Sequence, residues 1–452
     1  MAESGAPYYG YAYDSMGRLS SLYEPGNSSP SATATYGVAG EVQGLTYWAV
    51  NETRQYNSMF QMTRMTATAF GTTVMDMQYN YTTGQNNGRI ASSVDGYLNE
   101  TVNYTYDALN RLSGAAATNG AWGQSFAYDG FGNLTDKTPT VGSAPSLHVT
   151  FDAGTNRQNG VTYDANGNPA SLGTFDVENR VLSMNGFFSV YDHRGKRITK
   201  AWGSNVEMYF YGIDGRKLAT YTCGTTNFQF TCGSPVFDTY WKGKLVKSKG
   251  QEVTTDRLGS VRWHRTVGWS AYYPYGEERG SSADNREKFG TYVRDDATLD
   301  YADQRYYGVG TGRFLTADPS GLRAARLQFS GSWNRFSYVM GDPINRIDLN
   351  GADWVAVECN PEWDEDCDVE PYGETCNETC DSGVAGDDSG GEGTMPVFKT
   401  DSKPACTGNT YLSPTIGVGC VAYPTVFVPN VGNLFENIPV VILHRASRPV
   451  TL

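Results

Sequence analysis

The segment YAYDSMGRLSSL, from Tyr11 to Leu22, recurs along the first half of the chain and decides its fold. Copies begin at Tyr104 (YTYDALNRLSGA), Phe126 (FAYDGFGNLTDK), Val161 (VTYDANGNPAS), Gly173 (GTFDVENRVLSM), Ser189 (SVYDHRGKRITK) and Tyr209 (YFYGIDGRKLAT), with looser copies from Arg54 and Met77. Such self-similarity has to be recognised first, because a repeat sets the whole architecture.

Each copy reads aromatic, Asp, two variable residues, Gly or Asn, a polar or basic residue, and an aliphatic residue. The aromatics before the Asp are two residues apart, as in Tyr11 and Tyr13, which puts both rings on one face of a strand. The Asp can accept backbone N–H groups in an Asx-turn, and the Gly or Asn can adopt positive φ. Each copy therefore predicts a hairpin that must stack on its neighbours to bury its rings.

The composition supports an all-β chain and narrows its partners. Its 452 residues include 31 Tyr and 52 Gly, which favour short strands joined by tight turns. A formal charge of −13 argues against a nucleic-acid partner. The sequence contains neither a long apolar run nor a basic, apolar leader, so we expect no membrane span and no signal peptide in this chain. One Asp per copy, flanked by rings, favours turn chemistry over a calcium array, and we expect no cofactor.

From residue 236 a second pattern begins. The blocks TTDRLGSVRW, YYPYGEE, REKFGTYVRDDATLDYADQRYYGVGTGRFLTADPSGL and GSWNRFSYVMGDPINRIDLNG follow in order. They resemble the Rhs repeat-associated core, and the preceding copies resemble the YD repeats of the Rhs family, which includes bacterial Rhs toxins, Tc-toxin C components and animal teneurins. The resemblance implies an all-β spiralling hairpin shell, here a partial barrel, closed by a core plug and followed by a short irregular cysteine-containing tail.

The resemblance also predicts three regions: a shell segment over 1–235, the core over 236–352 and a variable acidic tail over 353–452. Within the core, Arg305 and Arg313 lie among aromatic residues on which guanidinium planes can stack. Trp333, Phe336 and Tyr338 are predicted to pack inward as a strand pair.

Two aspartates of the core carry its candidate chemistry. Asp318 lies in TADPSG and Asp348 in NRIDLNG. The resemblance implies that this pair is an aspartyl autoprotease, because two close carboxylates can share one proton and act as base and acid. The usual Asp-Pro-x-Gly-Leu ending is here Asp348-Leu-Asn-Gly-Ala352, with the aligned cleavage after Ala352. The alternative is a structural role, in which both aspartates cap turns.

The tail differs in composition from the rest of the chain. Six of the eight cysteines follow residue 358, while Cys223 and Cys232 lie mid-chain. An even number of cysteines suggests disulfides in an oxidising compartment, whereas zinc is disfavoured because the tail has no CxxC pair and a single His. The candidate disulfide cysteines are Cys359, Cys367, Cys376, Cys380, Cys406 and Cys420.

The sequence leaves three functions open. The first is a secreted or cell-surface shell segment that encloses its own C-terminal segment, completed by an upstream polypeptide or by copies of itself. The second is a self-cleaving polymorphic toxin precursor whose core releases the tail. The third is an adhesive or carbohydrate-binding β-repeat protein. Any enzyme activity would be limited to proteolysis of its own chain.

Overall fold

The computed structural model describes residues 9–84, 86–226, 229–280, 286–325, 330–352, 354–356, 410–412 and 420–422. The strands of the first half are β1 Gly10–Tyr13, β2 Leu19–Tyr23, β3 Ala32–Tyr36, β4 Val42–Tyr47, β5 Val50–Tyr56, β6 Met62–Ala69, β7 Thr72–Tyr81, β8 Ile90–Asp95, β9 Glu100–Tyr106, β10 Leu112–Ala117, β11 Trp122–Tyr128, β12 Leu134–Gly142, β13 Leu147–His148, β14 Gly173–Phe175, β15 Val181–Met184, β16 Phe187–Tyr191, β17 Arg197–Trp202, β18 Asn205–Tyr211, β19 Lys217–Thr226, β20 Gln229–Cys232 and β21 Val236–Phe237.

The remaining strands are β22 Thr239–Trp241, β23 Lys244–Ser248, β24 Gln251–Thr255, β25 Val261–His264, β26 Gly268–Trp269, β27 Val293–Asp296, β28 Leu299–Ala302, β29 Arg305–Gly308, β30 Arg313–Phe314, β31 Arg346–Asp348, β32 Trp354–Ala356, β33 Thr410–Leu412 and β34 Cys420–Ala422. Short 3₁₀ turns cover Phe289–Thr291, Gly321–Ala324, Ser330–Trp333 and Val339–Gly341. None of the helical segments in the described ranges is long and apolar enough to cross a membrane.

The strands form antiparallel meanders. Strands β1 to β13 make one 13-stranded sheet in which each strand pairs with the next along the chain. Strands β14 to β21 make an eight-stranded sheet in which β21 pairs with β19, and β22–β26 and β27–β30 make smaller sheets. This confirms the all-β prediction. By internal contacts the chain divides into the units Met1–Cys376 and Asn377–Leu452; of the second unit the structure describes only the β33–β34 pair.

The turn chemistry predicted for the repeats is confirmed. In the β9–β10 hairpin, Asp107 Oδ1 accepts hydrogen bonds from the backbone N–H groups of Leu109 and Arg111, both at 2.9 Å. Arg111 Nε donates to Asp107 Oδ2 at 2.7 Å, and Asn110 has a φ of 65°. The same two backbone bonds to the Asp recur at Asp14, Asp129, Asp164, Asp176 and Asp192.

In seven of the described hairpins, the tyrosine that ends the first strand links neighbouring repeats. Tyr128 Oη donates to the backbone oxygen of Leu112 in the preceding repeat at 2.7 Å, and the Arg111 guanidinium lies 4.5 Å from the Tyr128 ring centroid. We call this series of bonds the tyrosine ladder. Its members are Tyr36 to Leu19, Tyr56 to Val42, Tyr81 to Met62, Tyr106 to Ile90, Tyr128 to Leu112, Tyr191 to Val181 and Tyr211 to Arg197.

The hairpin chemistry continues beyond residue 235. Asp256 Oδ1 accepts from the N–H groups of Leu258 and Ser260, both at 3.0 Å, as the repeat aspartates do. Tyr272 Oη donates to the backbone oxygen of Val261 at 3.0 Å, in the manner of the tyrosine ladder. The segment TTDRLGSVRW is therefore built as another repeat hairpin, although its sequence diverges from the copies before it.

The core region packs around aromatic rings. Tyr275, Tyr307, Phe314 and Tyr338 are almost fully buried, and the Tyr307 and Tyr338 ring centroids lie 4.7 Å apart. The inward packing predicted for Tyr338 is confirmed, but the prediction for Trp333 is wrong, since its side chain is 60% exposed. Trp333 ends a 3₁₀ turn rather than lying on a strand, so the alternation assumed for it does not apply.

The described residues contain a disulfide that we did not predict. Cys223 on β19 and Cys232 on β20 are directly opposite each other in the ladder and are bonded through sulfur. The predicted disulfides of the tail lie outside the described residues, except that Cys420 begins β34, where only the backbone is described.

Loss of one turn aspartate should have a measurable cost. We expect Asp107→Ala to lower the free energy of unfolding by about 1–2 kcal/mol, because two backbone N–H groups lose their acceptor and Arg111 loses its partner. Urea unfolding measures the change. Glu178→Ala is the matched control, since Glu178 occupies a similar turn but makes only a surface ion pair, worth less than about 1 kcal/mol. Equal effects of the two substitutions would refute the structural role of the turn aspartate.

Candidate functional site

The structure brings the two predicted aspartates to one arginine. Arg305 lies at the start of β29, Asp318 follows β30, and Asp348 ends β31. Arg305 Nη2 lies 3.0 Å from Asp318 Oδ2 and 3.2 Å from Asp348 Oδ2. All three residues are buried, so these charges interact away from bulk water, where such contacts are strongest.

Each carboxylate also caps a turn. Asp318 Oδ1 accepts from the Ser320 N–H at 2.9 Å. Asp348 Oδ1 accepts from the N–H groups of Gly351 at 2.7 Å and Ala352 at 3.2 Å. In both residues one oxygen therefore supports the local turn while the other meets Arg305. The turn-capping role and the paired-carboxylate arrangement occur together here.

Arg305 is itself held from several sides. Its Nη1 donates to the backbone oxygen of Arg335 at 2.9 Å, and its Nε donates to the backbone oxygen of Gly351. Its guanidinium carbon lies 3.7 Å from the centroid of the Phe314 ring. The predicted stacking of core arginines on rings is confirmed here and at Arg313, which lies 4.3 Å from the Phe336 centroid. The planar fork of an arginine suits this set of partners better than a lysine would.

Tyr292 contributes a neutral donor behind the site. Its hydroxyl donates to the backbone oxygen of Asp348. Burial, and next the negative charge of Asp348, raise the pKa of Tyr292 well above its usual value. The phenol therefore keeps its proton over the physiological range and fixes the end of β31.

A small cavity lies against the aspartate pair. It has a volume of about 20 Å³, and its lining includes Asp318, Asp348, Arg305, Ser332 and Ala352. A cavity of this size holds about one water molecule. The cavity thus places room for one water beside both carboxylates and beside Ala352, the residue that precedes the predicted cleavage bond. Asp353, on the other side of that bond, lies outside the described residues.

Sequence reasoning identified the aspartates but missed Arg305 as their shared partner. The sequence did draw attention to Arg305, which lies in the aromatic segment DQRYYG. It predicted only that the guanidinium of this arginine stacks on rings. Nothing in the spacing of Arg305, Asp318 and Asp348 indicates that one guanidinium nitrogen reaches both carboxylates. Only the packing of β29 beside β30 and the turn after β31 makes that contact.

Comparison with curated proteins finds relatives that share part of the chain. The tRNA3(Ser)-specific nuclease WapA of Bacillus spizizenii is 27% identical over 267 residues, a match that covers 52% of this chain and 11% of that protein. The tRNA nuclease WapA of Bacillus subtilis strain 168 gives the same identity and coverage. The chain thus spans about a ninth of the length of these relatives. No family model matches the sequence.

Solved structures share the fold. The Tc holotoxin pore of Photorhabdus luminescens is 17% identical with a TM-score of 0.55, covering 77% of this chain and 20% of that one. A crystal structure of TcdB2-TccC3 without its hypervariable C-terminal region is 17% identical with a TM-score of 0.56, covering 76% and 20%. At this identity the similarity establishes the fold.

Proposed function

We propose that this chain is the closing part of a β-shell in a polymorphic Rhs-type toxin, and that the shell encloses the chain's own C-terminal segment. The observation that carries the proposal is a set of buried ion pairs that join the two large sheets to residues 262–303. The shared fold with TcdB2-TccC3, a complex with a hypervariable C-terminal region, supports the same arrangement. The composition change after residue 353 fits a variable segment at the matching place.

We call the two large sheets the wall and the core region, residues 236–352, the plug; the ion pairs link the wall to the plug. Arg279 contacts Glu100 through two bonds of 2.5 and 3.0 Å, and Lys200 Nζ lies 2.8 Å from Asp295. The other pairs are Arg262 with Asp95, Lys137 with Glu277, Lys196 with Asp303, Arg197 with Asp295 and Lys217 with Glu287. Removing one partner of such a pair costs about 3–5 kcal/mol because the other charge is left buried and unpaired, so each pair favours one arrangement of the two segments it joins.

The charge state of Asp295 shows that its ion pairs with Arg197 and Lys200 are maintained at neutral pH. Burial opposes its ionisation, yet Arg197 and Lys200 together hold the pKa of Asp295 below its usual range. The carboxylate therefore remains charged at neutral pH and keeps both cations in place. Ion pairs that persist at neutral pH fit a permanently closed end of a shell better than a lid that docks transiently.

Protection of the tail from protease tests enclosure. Trypsin can cut the tail after Lys399 and after Arg445, and we expect these sites to be cut much more slowly in the folded full chain than in the urea-denatured chain. Arg262→Glu combined with Arg279→Glu breaks two of the ion pairs and should speed these cuts. Wild-type cleavage at the denatured rate would contradict enclosure, as would no change in the double variant if circular dichroism shows it folded.

A second candidate function rests on the Arg305-bridged aspartates. In it, one carboxylate takes a proton from a water that adds to the scissile carbonyl carbon. The other aspartate, protonated, gives its proton to the leaving nitrogen as the C–N bond breaks, leaving a carboxyl end and a new amine. The aligned bond joins Ala352 to Asp353. The tail would then be a released segment, as in a toxin precursor.

We further propose a secreted or cell-surface location. The disulfide between Cys223 and Cys232 supports it, because disulfides persist in oxidising compartments and are rare in the cytosol.

A further inference from the structure

Several repeat hairpins contain an arginine that joins one turn to the next. Arg111 Nε donates to Asp107 Oδ2 at 2.7 Å, and its guanidinium lies 4.5 Å from the Tyr128 ring centroid of the next repeat. Arg111 Nη1 also donates to the backbone oxygen of Asp129, in the next turn, at 3.5 Å. The same three contacts are made by Arg18 and by Arg180.

The hairpin that turns at Asp129 lacks this arginine and has Asn133 at the position. Asn133 Nδ2 keeps the bond to the turn aspartate, at 2.8 Å, but an amide cannot stack as a guanidinium does. Arg313 of the plug supplies the missing guanidinium. It lies 4.8 Å from the centroid of Phe151, the ring before the next turn, and its Nη2 donates to the backbone oxygen of Asn156 in that turn at 2.9 Å. Its Nη1 donates to Asn133 Oδ1.

A closed ring of three amides completes the contact between the repeats and the plug. Asn133 Nδ2 donates to Asn156 Oδ1 at 2.6 Å, and Asn156 Nδ2 donates to Asn334 Oδ1 at 3.0 Å. Asn334 Nδ2 returns to Asn133 Oδ1 at 2.7 Å. Asn133 and Asn334 are buried, so an amide left without its partners would be unfavourable there. We call Asn133, Phe151 and Asn156 the socket, and Arg313 and Asn334 are the plug residues that fill it.

Both plug residues in the socket adjoin the aspartate site. Arg313 is followed by Phe314, on whose ring the Arg305 guanidinium stacks at 3.7 Å. Asn334 is followed by a residue whose backbone oxygen accepts two bonds, from Arg305 Nη1 and from the Asp318 N–H, both at 2.9 Å. The two segments that fill the socket are therefore the segments that hold Arg305 and Asp318 in place.

We propose that the socket positions Arg305 and the aspartate pair, so that self-cleavage begins only after the plug has docked on the repeats. Until then Arg313 and Asn334 lack their partners, and the segments beside Arg305 are not fixed. Without a guanidinium between them, two ionised carboxylates repel each other. Asn133 and Asn156 are positioning residues because they contact neither aspartate. The inference rests on the second candidate function and names its control, which keeps the tail attached until the shell is closed.

Asn133→Arg tests the proposal, because it gives this hairpin the arginine of the other copies in the place that Arg313 occupies. We expect the cleavage rate to fall by about 100-fold while the chain stays folded, since small displacements at a reacting site have effects of this size. Pulse-chase labelling with a denaturing gel measures the rate. The matched control is Asn168→Arg. Asn168 has the same repeat position and the same bond to its turn aspartate, at 2.8 Å, but bonds no plug residue within the described part of the chain.

A milder pair of variants covers the case in which Asn133→Arg does not fold. Asn156→Gly removes one amide of the ring and keeps the backbone oxygen that Arg313 binds, and glycine suits the φ of 55° at this position. We expect a loss of about tenfold in the cleavage rate. Asn179→Gly is its control, because Asn179 has a φ of 66° and accepts from Asn168 rather than from the plug.

Hydrogen exchange separates positioning from general stability. It is measured in the Asp348→Asn background, so that every chain is intact. Asn133→Arg should speed exchange of the amides of 314–320, which include the Asp318 N–H, by about tenfold and leave β5 to β7 unchanged. Exchange that is unchanged at 314–320, or that rises throughout the chain, overturns the proposal.

The cleavage rates separate this proposal from the function on which it rests. Normal cleavage by folded Asn133→Arg and Asn156→Gly overturns the role of the socket alone. A wild-type chain that stays intact overturns both the proteolytic function and its control by the socket. Enclosure of the tail is tested separately by trypsin and can hold in either case.

Discussion

Asp318→Asn abolishes release of the C-terminal segment if the aspartate pair is proteolytic, with an expected loss of at least about 100-fold in the cleavage rate. Asparagine keeps an oxygen that can accept the Ser320 N–H bond, so the turn survives. It removes the charge that faces Arg305 and the group that takes or gives a proton. A denaturing gel with intact-mass analysis of the tail fragment measures the loss.

The control separates proteolysis from turn capping. Asp176→Asn alters a turn aspartate of the same kind, in a repeat hairpin that does not line the cavity, and should leave the cleavage rate unchanged. Asp348→Asn should match Asp318→Asn. A wild-type chain that stays intact for days, or variants that cleave normally but melt at lower temperature, would leave the aspartates with a structural role only.

Phe314→Ala should be strongly destabilising, by about 3–5 kcal/mol in the free energy of unfolding. The ring is fully buried, with the Tyr307 and Tyr338 rings 5.8 and 5.9 Å away and the Arg305 guanidinium stacked upon it. Its removal leaves a cavity in the plug and frees Arg305 to move. Urea unfolding measures the cost.

Phe131→Ala is the matched control for that measurement. Phe131 is the same residue type at an exposed turn tip, so its loss should change stability by less than about 0.5 kcal/mol in the isolated chain. A cost below about 1.5 kcal/mol for Phe314→Ala would mean that the plug collapses around the gap, and would contradict a tightly packed aromatic cluster.

The sequence predicted those contacts that join residues close together in the chain. The bonds of Asp107 lie within four residues, so the pattern of one repeat contains both donor and acceptor. The tyrosine ladder was missed because Tyr128 and Leu112 are sixteen residues apart and meet only after two hairpins have stacked. The same holds for the candidate site, where Arg305 and Asp348 are separated by 43 residues. The wrong prediction for Trp333 came from assuming strand alternation in a segment that forms a 3₁₀ turn.

The ion pairs between wall and plug set the order in which the chain can finish folding. Arg197 is synthesised 98 residues before its partner Asp295, and Asp95 167 residues before Arg262. While the chain emerges from the ribosome, the hairpins can form one by one. Their charged residues that pair with residues 262–303 lack partners until those residues have been synthesised. Such distant pairings give a high contact order and slow folding, with apolar surface exposed meanwhile. We therefore expect the nascent wall to depend on chaperones until translation passes residue 303.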